Sequence, residues 1–213
     1  APTVSVPATS AANEGEVVEI AGSFADPDSG DTWTATVNYG DGSGVQPLSL
    51  TGQTFALNHV YADQGIYTVT VTVTDAAGQE GSDTLDVTVL NAAPVVNLGV
   101  DHFGVVEGTE HVHTHQFSDL GAGDTHEIVI DWGDGSPVEM QTSTADASGG
   151  LAIPLVHVFP DNGDWTLTVR VRDDDGGEGV DTAVMHVVNA APVVNLGVDH
   201  FGVVEGTEHV HTH

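Results

Sequence analysis

Residues 67–75 read YTVTVTVTD, and residues 165–173 read WTLTVRVRD. In both segments valine or leucine alternates with threonine or arginine, which gives a period of two residues. Successive side chains of a β-strand point to opposite faces, so this alternation indicates strands with one face on a core and the other in water. The β-branched residues suit such a half-buried pleated surface. The two segments therefore predict a fold built from β-sheets that pack on one face.

Both segments belong to an internal repeat. Residues 91–115, NAAPVVNLGVDHFGVVEGTEHVHTH, recur without change at 189–213, which is 98 residues further on. A period of about 100 residues is typical of an immunoglobulin-like β-sandwich. Residues 1–92 form a more divergent copy. We expect a first repeat at 1–91, a second at 92–189 and the first strands of an incomplete third at 190–213, as in a section of a longer array.

The turns between the strand-like runs agree with this fold class. Glycine-rich segments interrupt the chain about every 8–12 residues, as in a sandwich, and no window has the periodicity of a helix. We predict an all-β protein made of tandem immunoglobulin-like antiparallel β-sandwiches, with about seven strands in each repeat.

The charge of the chain excludes several classes of partner. The 213 residues include 32 acidic and two basic residues, which gives a formal net charge of -30. Such a surface repels phosphate backbones and anionic lipid headgroups, so we expect no nucleic-acid partner. No run of about 18 apolar residues occurs, so we expect no membrane insertion. The absence of cysteine excludes disulfides and thiolate metal sites.

Motifs of catalysis are missing from the sequence. It contains no G-x-S-x-G elbow, no H-E-x-x-H helix motif and no glycine-rich phosphate loop. The paired carboxylates occur in loops, where they are more typical of cation sites than of an acid–base pair. We therefore predict that the chain is not an enzyme.

A family resemblance rests on several motifs that occur together. The segments DTWTATVNYGDGS (31–43) and DTHEIVIDWGDGS (124–136), followed by HVY (59–61) and HVF (157–159), resemble the PKD (polycystic kidney disease) domain of long bacterial surface proteins. The likeness covers both full repeats. It implies an immunoglobulin-type sandwich that serves as a spacer or adhesion module. From it we expect an extracellular or cell-surface protein of bacterial origin.

The GDG turns and the histidines that follow them have a structural interpretation. Glycine permits positive φ, and the side chains of Asp41 and Asp134 can bond the backbone of their own turns. We expect His59 and His157 to be packed and hydrogen-bonded.

Acidic residues concentrate in the loops that should meet at one end of each sandwich. Calcium takes about six to eight oxygen ligands, and Asp-rich loops can supply them. The loop between the second and third strands lies beside the loop between the last two strands in such folds. The calcium candidates are Asp26, Asp28, Asp31 and Asp75 in the first repeat and Asp119, Asp124, Asp173 and Asp175 in the second, with Glu107 expected to approach the linker 91–94.

The resemblance gives some of these residues a specific role. Some PKD-like domains bind calcium through the linker that leads into the domain and through the same two loops, which implies Asp26, Asp75, Asp119 and Asp173 as ligands. Gly121 stands where the first repeat has Asp28, so a second site would be weaker. The alternative is that the loop acids are solvated and keep the array soluble.

Three histidines share one face of a predicted strand. His111, His113 and His115 follow at every second position, so their imidazoles could together bind zinc, copper or nickel. The aligned residues of the first repeat, in the range 18–22, are expected to face the core. Three interpretations stay open. The strand is shifted by one residue and exposes the histidines, they pack as neutral hydrogen-bonded groups, or they bind a transition metal.

These observations predict a non-catalytic structural or adhesive region, a stalk or fibre that calcium stiffens at loops and linkers. Its partners would be neighbouring repeats or identical chains, and a surface glycan or protein ligand. One alternative is a filament subunit that assembles by strand exchange through the partial third repeat. Another is an accessory carbohydrate- or protein-binding module of a secreted degradative enzyme, with Trp33 as the exposed aromatic.

Overall fold

The computed structural model describes residues 1–28, 30, 32–145 and 147–194, and in these residues the chain forms strands, turns and loops without a helix. The prediction of an all-β fold is confirmed. The strands are β1 Thr3–Ser5, β2 Thr9–Asn13, β3 Val17–Ala25, β4 Trp33–Asn38, β5 Val45–Leu48, β6 Leu50–Thr51, β7 Thr54–Val60, β8 Gly65–Asp75, β9 Glu80–Leu90, β10 Val95–Asn97, β11 His102–Val106, β12 Glu110–Ser118, β13 His126–Asp131, β14 Glu139–Ser143, β15 Leu151–Val158, β16 Gly163–Asp173 and β17 Glu178–Val188.

Each repeat forms a sandwich of two sheets. In the first repeat the sheets have the strand orders β1-β3-β7-β6 and β2-β9-β8-β4-β5, and in the second β10-β12-β15 and β11-β17-β16-β13-β14. The tandem immunoglobulin-like arrangement is therefore confirmed. The predicted boundaries at 91/92 and 189/190 stay predictions, and the predicted strands of a third repeat fall mostly on residues 195–213, outside the described residues.

The strand count exceeds the expected seven chiefly because the opening strand of each repeat is split between the two sheets. In the first repeat β1 pairs antiparallel with β3, whereas β2 pairs parallel with β9. The second repeat repeats this with β10 and β11. The crossing chain is held by a carboxylate each time, since Asp83 accepts from the Val6 amide at 3.0 Å and Asp181 from the Leu98 amide at 2.9 Å.

The alternating segments form the centre of each core. Val69, Val71 and Val73 on β8 are at most 1% exposed, and Leu167 and Val169 on β16 are fully buried. Burying one such side chain contributes about 1.5–3 kcal/mol. The period of two residues seen in the sequence thus corresponds to inward valines and leucines packed between the two sheets.

Two long strands place the acidic loops. β8 ends at Asp75 and β16 at Asp173, and each runs antiparallel to the strand that leads out of its repeat. The β8–β9 and β16–β17 turns therefore lie at the end where the chain enters each sandwich, which we call the incoming end. The opposite end, from which the chain leaves, is the outgoing end. No helix that could cross a membrane is found in the described part of the chain.

Candidate functional site

Three predicted acids meet at the incoming end of the first repeat. The α-ammonium of Ala1 lies 3.9 Å from Oδ1 of Asp26, 3.9 Å from Oδ2 of Asp28 and 3.8 Å from Oδ2 of Asp75. The structure thus brings these side chains around one positive charge. Asp31, the fourth residue expected here, lies outside the described residues.

Trp33 supports this acidic loop. Its Nε1 donates to Oδ2 of Asp26 at 3.2 Å, and its ring packs edge-on against Phe24 at 5.3 Å between centroids. The Asp28 amide also donates to Asp26. The Asp28 bond lowers the pKa of Asp26 against the opposing effect of desolvation, with help from Trp33 and the N-terminus. The half-buried Trp33 is therefore not the exposed aromatic that the carbohydrate-module alternative required.

The second repeat has the same strand pairing at this place, with a histidine where the first repeat has tryptophan. His126 pairs with Asp173 across β13 and β16 as Trp33 pairs with Asp75 across β4 and β8. Its Nε2 lies 3.1 Å from Oδ2 of Asp119, and both side chains are buried.

Asp173 connects the linker to the second repeat. Its Oδ1 accepts from the Asp175 amide at 3.0 Å and the Gly177 amide at 2.7 Å, and its Oδ2 accepts from Nδ2 of Asn91 at 3.1 Å. The linker residue Asn91 thus takes the place beside Asp173 that the α-ammonium has beside Asp75.

Four carboxylates from both repeats meet at the junction between them. Each supplies one oxygen, and all four oxygens lie within 4.8 Å of one another. The turns β2–β3 and β7–β8 of the first repeat and the β12–β13 and β16–β17 loops of the second supply them. We call this group the junction cluster; its members are Glu14, Asp63, Asp124 and Asp175. Asp124 also belongs to a second such group with Asp119 and His126.

Two carboxylates of the junction cluster are buried, and each has an oxygen without a hydrogen-bond partner among the described residues. Glu14 is 0% exposed and Asp124 is 3% exposed. Within the described residues, Oε2 of Glu14 and Oδ2 of Asp124 have no hydrogen-bond partner. Both unpartnered oxygens belong to carboxylates that converge on the junction. An unpartnered carboxylate in a protein interior is costly, because it loses its water and gains nothing in return.

The junction concentrates negatively charged groups in a partly buried environment. Desolvation raises the pKa of Asp124 to about 7, and the charges of Glu14 and Asp119 add to the effect. Burial also raises the pKa of Glu14, although the Ala92 amide opposes it. Burial and neighbouring aspartates raise that of Asp175. Both arginines of the chain are bound to Glu178 instead. The cluster therefore favours a cation.

Glu14 is fixed by the chain that leaves the first repeat. Its amide donates to the Leu90 carbonyl at 3.0 Å, and its Oε1 accepts from the Ala92 amide at 2.8 Å. The next residue, Gly15, has φ +69°, and a Cβ there would lie 2.4 Å from the Leu120 carbonyl oxygen. The turn therefore packs directly against the second repeat.

Our expectation for Glu107 is wrong, since it does not approach the linker 91–94. Its amide donates to the Val188 carbonyl at 3.1 Å, and its Oε1 accepts from the Ala190 amide at 3.0 Å. Because β11 runs parallel to β17, the turn after β11 lies at the outgoing end of the second repeat. Glu14, its counterpart in the first repeat, takes the expected place. The sequence shows that Glu14-Gly15 and Glu107-Gly108 correspond, but it does not show at which end of the sandwich each pair lies.

The histidine strand keeps the register of the first repeat. His111 pairs with His157 across β12 and β15, as Val18 pairs with His59 across β3 and β7. Val112 between them is 61% exposed, whereas His115 is 5% exposed. The interpretation that the strand shifts by one residue and exposes the histidines is therefore wrong.

A fourth histidine, missed from the sequence, joins them from the other sheet. The ring centroid of His102 on β11 lies 3.8 Å from that of His113, 6.2 Å from that of His111 and 5.4 Å from that of His115. One ring nitrogen each of His102, His111 and His113 lies within 4.8 Å of the others. We call these three residues the histidine cluster. His102 is the one histidine in its segment of the sequence, so no pattern there predicted this contact.

The GDG turns bind the histidines that we expected to be structural. Nε2 of His59 lies 2.6 Å from Oδ2 of Asp41, and Nε2 of His157 lies 2.7 Å from Oδ2 of Asp134. Their rings stack on the aromatic residues at 39 and 132. The prediction of packed, hydrogen-bonded histidines is confirmed.

The match to a family model agrees with the fold. The sequence model of the PKD domain matches residues 1–89 and 91–187. No match is found among curated proteins. The solved structures similar to the chain include the adhesin InvE of Yersinia pseudotuberculosis, with 15% identity and a TM-score of 0.40 over 85% of this chain and 58% of that chain. The chain thus spans little more than half of that structure.

Two further structures are similar to parts or most of the chain. The PKD domain of an M14-like peptidase from a Thermoplasmatales archaeon is 26% identical, with a TM-score of 0.32 over 41% of this chain and 91% of that one. The sialic acid binding region of a Streptococcus sanguinis adhesin is 12% identical, with a TM-score of 0.32 over 89% of this chain and 77% of that one. With a matched family model over both repeats, the chain belongs to the PKD domain family, and it carries two PKD domains in tandem.

Proposed function

We propose that the chain is a non-catalytic spacer of an extracellular or cell-surface protein, in which calcium bound at the junction fixes consecutive PKD domains relative to each other. The observation that carries this proposal is the junction cluster, which takes two carboxylates from each domain. A cation there would be bound by both domains at once, so its binding energy would oppose bending at the linker.

The donor atoms favour a hard cation. All four members of the cluster offer carboxylate oxygen, the ligand that Ca²⁺ prefers. Calcium–oxygen distances of about 2.3–2.6 Å place two ligands on opposite sides of the ion about 4.6–5.2 Å apart. Oxygens within 4.8 Å of one another suit that spacing. Backbone carbonyls and water would complete the shell.

The electrostatics support the same ion. Glu14 and Asp124 are buried with unpartnered oxygens, and burial raises the pKa of both carboxyl groups. A divalent ion would compensate their charge and turn mutual repulsion into shared attraction. Asp119 and Asp173 add negative charge beside Asp124 without belonging to the four-oxygen group.

The same arrangement supports an array with many such junctions. Glu107 has the backbone and side-chain bonds of Glu14, and it lies at the outgoing end of the second domain. We infer that it contributes to the next junction as Glu14 does to this one. At the incoming end of the first domain, Asp26, Asp28 and Asp75 correspond to positions beside the junction cluster and not to its members.

A spacer also accounts for the surface. A net charge of -30 on the whole chain opposes self-association and favours an extended stalk that carries binding domains away from a surface. A glycan or protein ligand of the whole protein stays part of this proposal. The filament alternative depends on residues 195–213, which lie outside the described residues, and it stays a prediction.

Calorimetric titration of the full chain with Ca²⁺ tests the site. We expect Asp124→Asn to weaken the binding at least tenfold, since it removes the buried carboxylate that belongs to both groups of potential ligands. Glu19→Gln, which removes one exposed charge from β3, is the matched control and should leave the titration unchanged. An Asp124→Asn titration equal to that of the unaltered chain would refute the junction site.

A further inference from the structure

We infer that the second PKD domain binds a borderline divalent transition-metal ion, with Zn²⁺ as the probe, through His102, His111 and His113. One ring nitrogen of each residue lies within 4.8 Å of the other two. This inference is independent of the junction, because the donors are nitrogens inside one domain and not carboxylates between two.

The histidine cluster joins the two sheets of the sandwich. His102 lies on β11, which pairs with β17, whereas His111 and His113 lie on β12, which pairs with β10 and β15. The β11–β12 turn separates them along the chain, yet the His102 and His113 ring centroids are 3.8 Å apart. An ion bound here would therefore connect sheets that otherwise contact through side-chain packing.

The ring nitrogens are available as ligands. Among the described residues, Nε2 of His102 and Nε2 of His111 are buried and have no hydrogen-bond partner. Nε2 of His115, one step deeper along β12, is in the same state. Buried polar atoms without a partner are uncommon in native proteins and call for an explanation such as an ion. Neutral packing with full hydrogen bonding, the remaining structural interpretation, does not describe these atoms.

The protonation state suits metal binding. Burial, followed by the neighbouring imidazoles, lowers the pKa of His113 to about 4. Burial also lowers the pKa of His102 and His111. Burial thus favours the neutral imidazole, which carries the free lone pair that a metal requires.

The geometry requires a modest adjustment. Zinc–nitrogen bonds of about 2.0–2.1 Å place the nitrogens of a tetrahedral site about 3.4 Å apart. The ring nitrogens lie within 4.8 Å of one another, so small side-chain rotations that move each nitrogen by about 1 Å or less bring them to this spacing. The three residues are half-buried, and in a tetrahedral site a water would take the fourth position.

The first domain shows that the fold does not require these imidazoles. Ser10 pairs with Val87 across β2 and β9 as His102 pairs with Met185 across β11 and β17. Val18 and Ile20 hold the places of His111 and His113. The sandwich closes in the first domain with one small polar and two aliphatic side chains, so packing alone does not require histidine at these three positions.

The first domain also supplies the test variants. The full chain is titrated with Zn²⁺ in excess Ca²⁺, which occupies carboxylate sites, and the His111→Val/His113→Ile double variant is compared with the unaltered chain. We expect the variant to keep its circular dichroism and to lose at least tenfold in affinity for one Zn²⁺. The unaltered chain should also gain thermal stability with Zn²⁺ and the variant should not.

A matched control comes from the identical sequence at 189–213. His209→Val/His211→Ile makes the same substitutions in the second copy of the segment and should leave one Zn²⁺ bound with unaltered affinity. His102→Ser, a milder change, should also weaken binding. Zinc binding that His111→Val/His113→Ile leaves unchanged, or an unaltered chain that binds no Zn²⁺, would overturn the inference.

Discussion

Glu14 and Asp124 belong to different PKD domains, yet their carboxylate oxygens lie within 4.8 Å of each other and both side chains are at most 3% exposed. Two buried like charges at this distance repel strongly unless they are protonated or share a cation. Because desolvation raises the pKa of Asp124 to about 7, the junction is a place where charge, packing and interdomain geometry depend on one another.

Replacing Asp124 by asparagine should raise the unfolding temperature without calcium and lower it with calcium. A carboxyl pKa raised from 3.8 to about 7 costs the folded state about 4 kcal/mol once the pH exceeds that value. At pH 8 in chelator we expect Asp124→Asn to unfold at a temperature several degrees above the unaltered chain. In excess Ca²⁺ the order should reverse, because the variant lacks a ligand. Calorimetric scans check both conditions, and Glu19→Gln should show no reversal. Equal shifts of the same sign in both conditions would contradict the account.

Alanine substitutions at two glycines distinguish the cost of backbone strain from the effect of interdomain packing. Gly15 and Gly108 have φ of +69° and +68°, but a Cβ at Gly15 would meet Leu120 of the second domain, whereas one at Gly108 would meet no described residue within 4 Å. Both substitutions to alanine should therefore cost about 1 kcal/mol of strain. Only Gly15→Ala should also change the interdomain angle, as measured by residual dipolar couplings. Identical couplings in the two variants would show that the Gly15 contact does not set the angle.

The GDG turn of the first domain predicts a loss of stability in acid. Although burial opposes it, hydrogen bonds from Ser43 and His59 hold the pKa of Asp41 down at about 2. Asp41 is exposed, so solvent screens these bonds, and we expect the depressed pKa to contribute about 1 kcal/mol above pH 4. This contribution is lost as the pH falls from about 4 to about 2.

Asp41→Asn should therefore be about 1 kcal/mol less stable than the unaltered chain at pH 7, and the difference should shrink toward pH 2. Denaturant unfolding of the first domain across this range measures it. Glu19→Gln, again the control, should follow the unaltered chain. A difference for Asp41→Asn that stays constant between pH 7 and pH 2 would contradict the assignment of the His59–Asp41 pair.

The fold could be predicted because its determinants are local and repeated. The alternation around Val71 and Val169 fixes which face of a strand is buried, and the GDG turns fix where strands reverse. The split of the opening strand between two sheets could not be predicted. It depends on contacts across the fold, such as that of the Asp83 carboxylate with the Val6 amide.

The sites could be predicted only within one domain. The loops that hold Asp26 and Asp75 meet as expected, because sheet topology brings them to one end. Glu14 and Asp63 were missed because their role depends on how one domain docks on the next. His102 was missed for a similar reason, since its contact with His113 crosses from one sheet to the other.

Small-angle X-ray scattering of the full chain with and without Ca²⁺ tests the central claim most directly. If calcium fixes the two domains at the junction, adding it should narrow the range of interdomain orientations and shift the distance distribution to that of one defined arrangement. Asp124→Asn should scatter alike in both conditions, and Glu19→Gln should respond like the unaltered chain. Superimposable curves for the unaltered chain with Ca²⁺ and with chelator would contradict the claim.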